Sequence, residues 1–147
     1  MTFSRNPENP IAMASRAVII HSSEQAHAAL AAATLVDRPI TLYSAVGAAA
    51  YGGAAWFAAI VAAARVEFPE AQCDAVLDCG DHAGLALAAL RQGWRALVLR
   101  GPPAVRNKIA AIAATQNARL DEGAVSALDL RHCLDPEAAV RTWLAQS

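Results

Sequence analysis

Lysine is nearly absent from this chain: of 147 residues, Lys108 is the only one, and the other eleven basic side chains are arginines. Lys108 follows Arg106 and Asn107 inside an expected helix, a solvated position. No buried strand-end amine is left for Schiff-base catalysis or for anchoring pyridoxal phosphate. Cysteine is also sparse. Cys73, Cys79 and Cys133 are odd in number and form neither a CxxC pair nor a zinc ladder. A disulfide scaffold is therefore not expected. The four histidines show no HxxxH or HxH spacing, so no metal site is expected either. GxGxxG and GxxxxGK[ST] are both missing, which excludes the common dinucleotide and P-loop patterns. There is no GxSxG elbow to expose a serine nucleophile.

Charge of either sign is in balance, with a net charge of −1. Phosphate backbones and anionic membrane surfaces are poor partners for such a chain, so no nucleic acid and no membrane partner is expected. Residues 1–14 read as a flexible tail without an apolar signal core, and residues 15–147 as one α/β domain in the cytoplasm.

The sequence does contain a steady alternation of short apolar runs and helical segments. Ala17-Val18-Ile19-Ile20 reads as a first buried strand, and Ile40-Thr41-Leu42-Tyr43 as a second. The third is Asp74-Ala75-Val76-Leu77-Asp78 and the fourth Ala96-Val98 with Leu99, while Ala118-Arg119-Leu120 starts a weaker fifth. Ser22 with Gln25 has capping-box spacing for a helix over 23–36. Pro69 closes a helix that begins as late as Ala54, and Asp81 is placed to cap another ending near Gly93. Pro102 and Pro103 suit the first turn of the next, and Asp135-Pro136-Glu137 starts the last. The stretch 122–133 is ambiguous, and Leu128-Asp129-Leu130 has extended character.

Continuous apolar strands alternating with helices predict a parallel sheet covered on both faces. The expected architecture is a three-layer, open, mostly parallel five-stranded sheet in flavodoxin-like or Rossmann-like order, such as 2-1-3-4-5. A partial (βα) barrel is the alternative. Ligands of such sheets bind at the carboxyl ends of the strands. Those ends hold His21, Ser22, Ser44, Cys79, Gly80, Asp81 and Arg100 as candidate ligand-binding residues, with Asp78 and His82 as candidate acid–base groups. If the first and third strands are neighbours, His21 and Asp78 share one crevice. Against this stands a purely architectural reading, in which Asp81 caps a helix, Gly80 makes a turn and Asp78 binds loop amides.

The expected function is binding of a small polar or anionic ligand, with or without acid–base chemistry. The alternative is a non-catalytic regulatory or assembly module. No cofactor is indicated, and the sequence does not separate an enzyme from a binding protein. The nineteen uncharged residues 46–64 suggest a helix apolar on both faces, with Trp56, Phe57, Ile60 and Val61 inward. Its alanine face would then serve a homo-oligomer.

Overall fold

A computed structural model describes residues 15–146, so the tail expected over residues 1–14 lies outside the described residues. The elements are β1 (Arg16–Ile19), α1 (Ser23–Val36), β2 (Ile40–Tyr43), α2 (Ala48–Tyr51), α3 (Ala54–Glu67) and β3 (Cys73–Asp78). They continue with α4 (Ala83–Arg91), β4 (Ala96–Val98), α5 (Pro103–Ala114), β5 (Arg119–Leu120), β6 (Ala127–Asp129) and α6 (Pro136–Ala145). None of these helices is long and apolar enough to cross a membrane.

The strands form one open, all-parallel α/β sheet, in the order β5-β4-β3-β2-β1-β6. This corrects two expectations. Among the described residues there are six strands rather than five, because the ambiguous stretch supplies β6. The 2-1-3-4-5 order is also wrong, because β2 lies between β1 and β3. Its physical cause is in the pairing of β1. One edge of β1 binds β2, with Val18 opposite Leu42, and the other binds β6, with Val18 opposite Leu128. No edge of β1 is left for β3.

The chain divides into two compact units. One contains the described residues up to Tyr43, Ile60–Ala75 and the described residues from Ala124 onward. Its core holds Val18, Ile20, Leu30, Ile40, Leu42, Val140 and Leu144, all fully or almost fully buried. Helix α1 begins as its capping spacing predicts. Ser22 Oγ accepts from the Gln25 amide at 3.1 Å, and Gln25 Oε1 accepts from the His21 amide at 2.7 Å. Helix α6 packs against α1 and starts at Asp135, whose carboxylate accepts from the Ala138 amide at 3.1 Å. Trp143 of α6 donates its indole N–H to the Ala17 carbonyl at 3.0 Å, while the Arg16 guanidinium sits 3.8 Å above its ring.

The second unit comprises Ser44–Ala59 and Val76–Gly123. Val76, Leu77, Leu97 and Leu99 are buried at its centre, as the apolar runs imply. Phe57 stacks on Trp94 with ring centroids 5.6 Å apart, and the Trp94 indole N–H donates to the Ala54 carbonyl at 3.2 Å. Phe57 of α3 is buried here, and Ile60 and Val61, which fall in the first unit, are buried too, but Trp56, expected beside them, is 41% exposed. The reason is local: the indole lies against Gly52, where a Cβ would come within 2.6 Å of the ring. Glycine at this position gives Trp56 a resting place outside the core.

Candidate functional site

The carboxyl end of β3 is organised around Asp78. Strand β3 is buried at Val76 and Leu77, and it delivers the Asp78 carboxylate into an almost solvent-free position, 5% exposed. Such a charge needs partners, and it has four. Oδ1 accepts from the backbone amides of Gly47 at 3.0 Å and Gly80 at 2.9 Å, and from Arg100 Nη1 at 2.9 Å. Oδ2 accepts from Arg100 Nη2 at 3.0 Å. Burial pushes this carboxyl up, but the hydrogen bonds from Arg100, Gly47 and Gly80 and the nearby guanidinium charge outweigh it. The net result lies below the ordinary aspartate value. Asp78 is therefore a fixed anion at neutral pH.

The neighbouring candidates are tied into the same arrangement. Ser44 Oγ accepts from the Asp78 amide at 2.8 Å and donates to the Ala45 carbonyl at 3.2 Å, so its hydroxyl is committed to backbone. Gly80 holds the turn with φ +60°, and its carbonyl accepts from the Arg100 amide at 2.7 Å. Cys79 is fully buried. Its thiol is pushed up to about 11, first by burial and then by the Asp78 charge, so it is not a thiolate nucleophile at neutral pH. Asp81 does not cap the next helix, which corrects the capping expectation. Helix α4 begins one residue later, with His82 at its N-cap and no side-chain cap. Both side chains are mainly in solvent, with His82 Nε2 3.5 Å from Asp81 Oδ1.

Arg100 continues from this buried anchor into a cavity of about 260 Å³ at the carboxyl ends of β4 and β5. Leu99, Gly101, Arg106, Asp121 and Glu122 also line it. Arg106 lies on the first turns of α5 and is braced by its Nε, which donates to the Leu99 carbonyl at 2.7 Å. The acids are engaged as well. Asp121 accepts from the Gly123 amide at 2.9 Å and lies 3.6 Å from Arg119, while the exposed Glu122 is 3.6 Å from Arg106. Each arginine is thus held by one edge, and each guanidinium carries more N–H groups than those bonds use. Backbone amides add little here. Pro102 and Pro103 have no N–H, and the Val105 and Arg106 amides both donate to Pro102 O. Arg100 and Arg106 are the cationic side chains that line this end. Arg106, Asp121 and Glu122 were missing from the sequence expectation. Arg106 has a local signal, an arginine one turn after the double proline. The acids follow the weak fifth strand expected at Ala118-Arg119-Leu120, whose carboxyl end was not read as part of a site.

His21 and Ser22 belong to the other unit, with a different partner. The condition for His21 sharing a crevice with Asp78, adjacency of β1 and β3, is not met. His21 Nε2 lies 2.6 Å from Asp129 Oδ1 at the end of β6. Ser22 serves as the cap of α1. Among the described residues no group of three or more His, Cys, Asp or Glu is placed to hold a metal ion.

No protein-family profile matches this chain, and no curated protein matches it.

Proposed function

We propose that this protein binds a small polar molecule carrying a carboxylate or phosphate group in the cavity at the carboxyl ends of β4 and β5. The observation that carries the reading is the locking of Arg100 by a buried, fully satisfied Asp78 at the wall of a cavity that Arg106 shares. A guanidinium held on one edge is pre-organised for an anion on its remaining N–H groups. Asp78 acts here as a positioning residue. The hydrogen bonds and the guanidinium that hold it ionised give it a low proton affinity, which suits positioning better than general-base work. Cys79 and Ser44 are committed to structure, so the site reads as a binding site.

Thermal unfolding in inorganic phosphate and in malonate, against sodium chloride of equal ionic strength, tests this. A ligand at a hundred times its Kd stabilises by about 2.7 kcal/mol. Arg106→Gln abolishes the gain. No rise with either anion, or an equal rise in Arg106→Gln, contradicts the proposal.

A second reading rests on a separate observation. On α3, Ala55, Trp56, Ala58, Ala59, Ala62, Ala63 and Val66 are exposed and uncharged, with the exposed Glu67 as the helix's last residue. Such a face suits association of two copies. Ala58→Arg would then dissociate a dimer seen by sedimentation, and a wild-type monomer of 15.3 kDa removes this reading. The free thiols of Cys73, Cys79 and Cys133 support a reducing, cytoplasmic setting.

A further inference from the structure

The histidine at the end of β1 is built more firmly than a surface ion pair requires. His21 is held from behind: Gln25 Oε1 accepts its backbone N–H at 2.7 Å, and Gln25 Nε2 donates to the Leu130 carbonyl at 2.9 Å. One glutamine thus ties the end of β1 to the residue following β6. Asp129 is held from its own side, with Oδ1 accepting from the Arg131 amide at 2.9 Å and facing His21 Nε2 at 2.6 Å. Burial pushes the Asp129 carboxyl up, but the Arg131 amide, the His21 contact and the charges of His21 and Arg131 bring it below the ordinary value.

An ionised carboxylate only accepts hydrogen bonds, so at this distance His21 Nε2 must donate. The neutral imidazole is therefore the Nε2–H tautomer, with the lone pair on Nδ1. The His21 side chain is 21% exposed and restrained by its Asp129 contact. An imidazole oriented by a carboxylate through one nitrogen, with the other unprotonated, is the arrangement of a general base.

We propose that His21 and Asp129 form a second site, separate from the arginine cavity, which takes a proton from water or a substrate hydroxyl at His21 Nδ1. With a carboxylic ester of a good leaving group the step balances as follows. Nδ1 takes the proton of a water as its oxygen adds to the carbonyl carbon. The adduct then collapses, breaking the C–O bond to the leaving group. The imidazolium gives the proton to that group, so ester and water become acid and alcohol. Asp129 stays ionised throughout and stabilises the imidazolium. His21 is the catalytic residue and Asp129 its positioning residue.

The test uses p-nitrophenyl acetate as probe on the full chain, read at several pH values in H₂O and D₂O. The protein-catalysed rate is slower in D₂O. His21→Gln removes it, while His27→Gln leaves it unchanged. Asp129→Asn lowers it about tenfold or more at every pH. Thermal unfolding of each variant separates loss of the base from loss of the fold, and His21→Asn is the second variant if the first is unfolded. An unchanged rate in folded His21→Gln or His21→Asn overturns the proposal. So does an unchanged rate in folded Asp129→Asn, or a trapped acetyl-imidazole, which would make His21 a nucleophile.

Discussion

Asp78 and Arg100 form a two-pronged ion pair, with Oδ1–Nη1 at 2.9 Å and Oδ2–Nη2 at 3.0 Å, across the carboxyl ends of neighbouring strands β3 and β4. The pair is asymmetric: the Asp78 side chain is 7% exposed and that of Arg100 50%. Removing the arginine leaves a buried charge with only two amides, whereas removing the acid leaves a cation that water can reach. Arg100→Gln is expected to cost about 1–3 kcal/mol in urea unfolding. The Asp78→Asn, Arg100→Gln double variant should cost less than the sum of the singles by at least about 0.5 kcal/mol. Strict additivity would show that the pair is not coupled.

Acid stability follows from the same carboxylate. Its folded pKa lies below its ordinary value, so the stabilisation is complete above the unfolded pKa of about 3.9 and is lost as pH falls through the folded one. Below about pH 4, unfolding free energy should fall less steeply in Asp78→Asn than in wild type. Parallel acid limbs would contradict this assignment.

Two thiols are sealed. Cys73 is raised to about 12, chiefly by burial, and Cys79 to about 11. Cys133 is partly exposed. A disulfide reagent at pH 8 should therefore modify one of the three cysteines in the native protein and all three in urea. Rapid native modification of Cys79 would mean that the end of β3 is open.

The apolar runs made most strands legible. Leu97, read as core from Ala96-Leu97-Val98-Leu99, is fully buried. Leu97→Ala is expected to cost about 2–5 kcal/mol in urea unfolding, through lost burial and the cavity left behind. A cost below about 1 kcal/mol would place it outside the core. Strand order was not legible, because local pattern shows that a strand is buried but not which neighbour takes each edge. The order in turn decides which carboxyl ends meet, so placing His21 with Asp78 failed with it.

Asp78 and Arg100 were both visible as strand-end polar residues. Their pairing was not, because it depends on the β3–β4 register, in which Asp78 stands opposite Val98. Asp129 was read as part of an extended stretch but not as a site residue, although its signal was present. Leu128-Asp129 ends β6 as Leu77-Asp78 ends β3, an apolar residue followed by an acid at the carboxyl end. In so short a strand that pattern is weak, and only pairing with β1 makes it a strand.

Glu122 offers a graded check on the cavity. It is exposed and near Arg106, so a bound anion would compete with it. Glu122→Gln should tighten phosphate or malonate binding by up to about fivefold, the range of an exposed ion pair. Weaker binding in that variant would mean that Glu122 contacts the ligand as an acceptor.

The most direct measurement of the central claim is a titration of the ¹⁵N-labelled protein with inorganic phosphate, followed by amide chemical shifts at constant ionic strength. The account predicts saturable shifts at Gly101, Ala104, Arg106 and Glu122, lost in the Arg100→Gln, Arg106→Gln double variant. Shifts that do not saturate, or that cluster instead around His21 and Asp129, would contradict it.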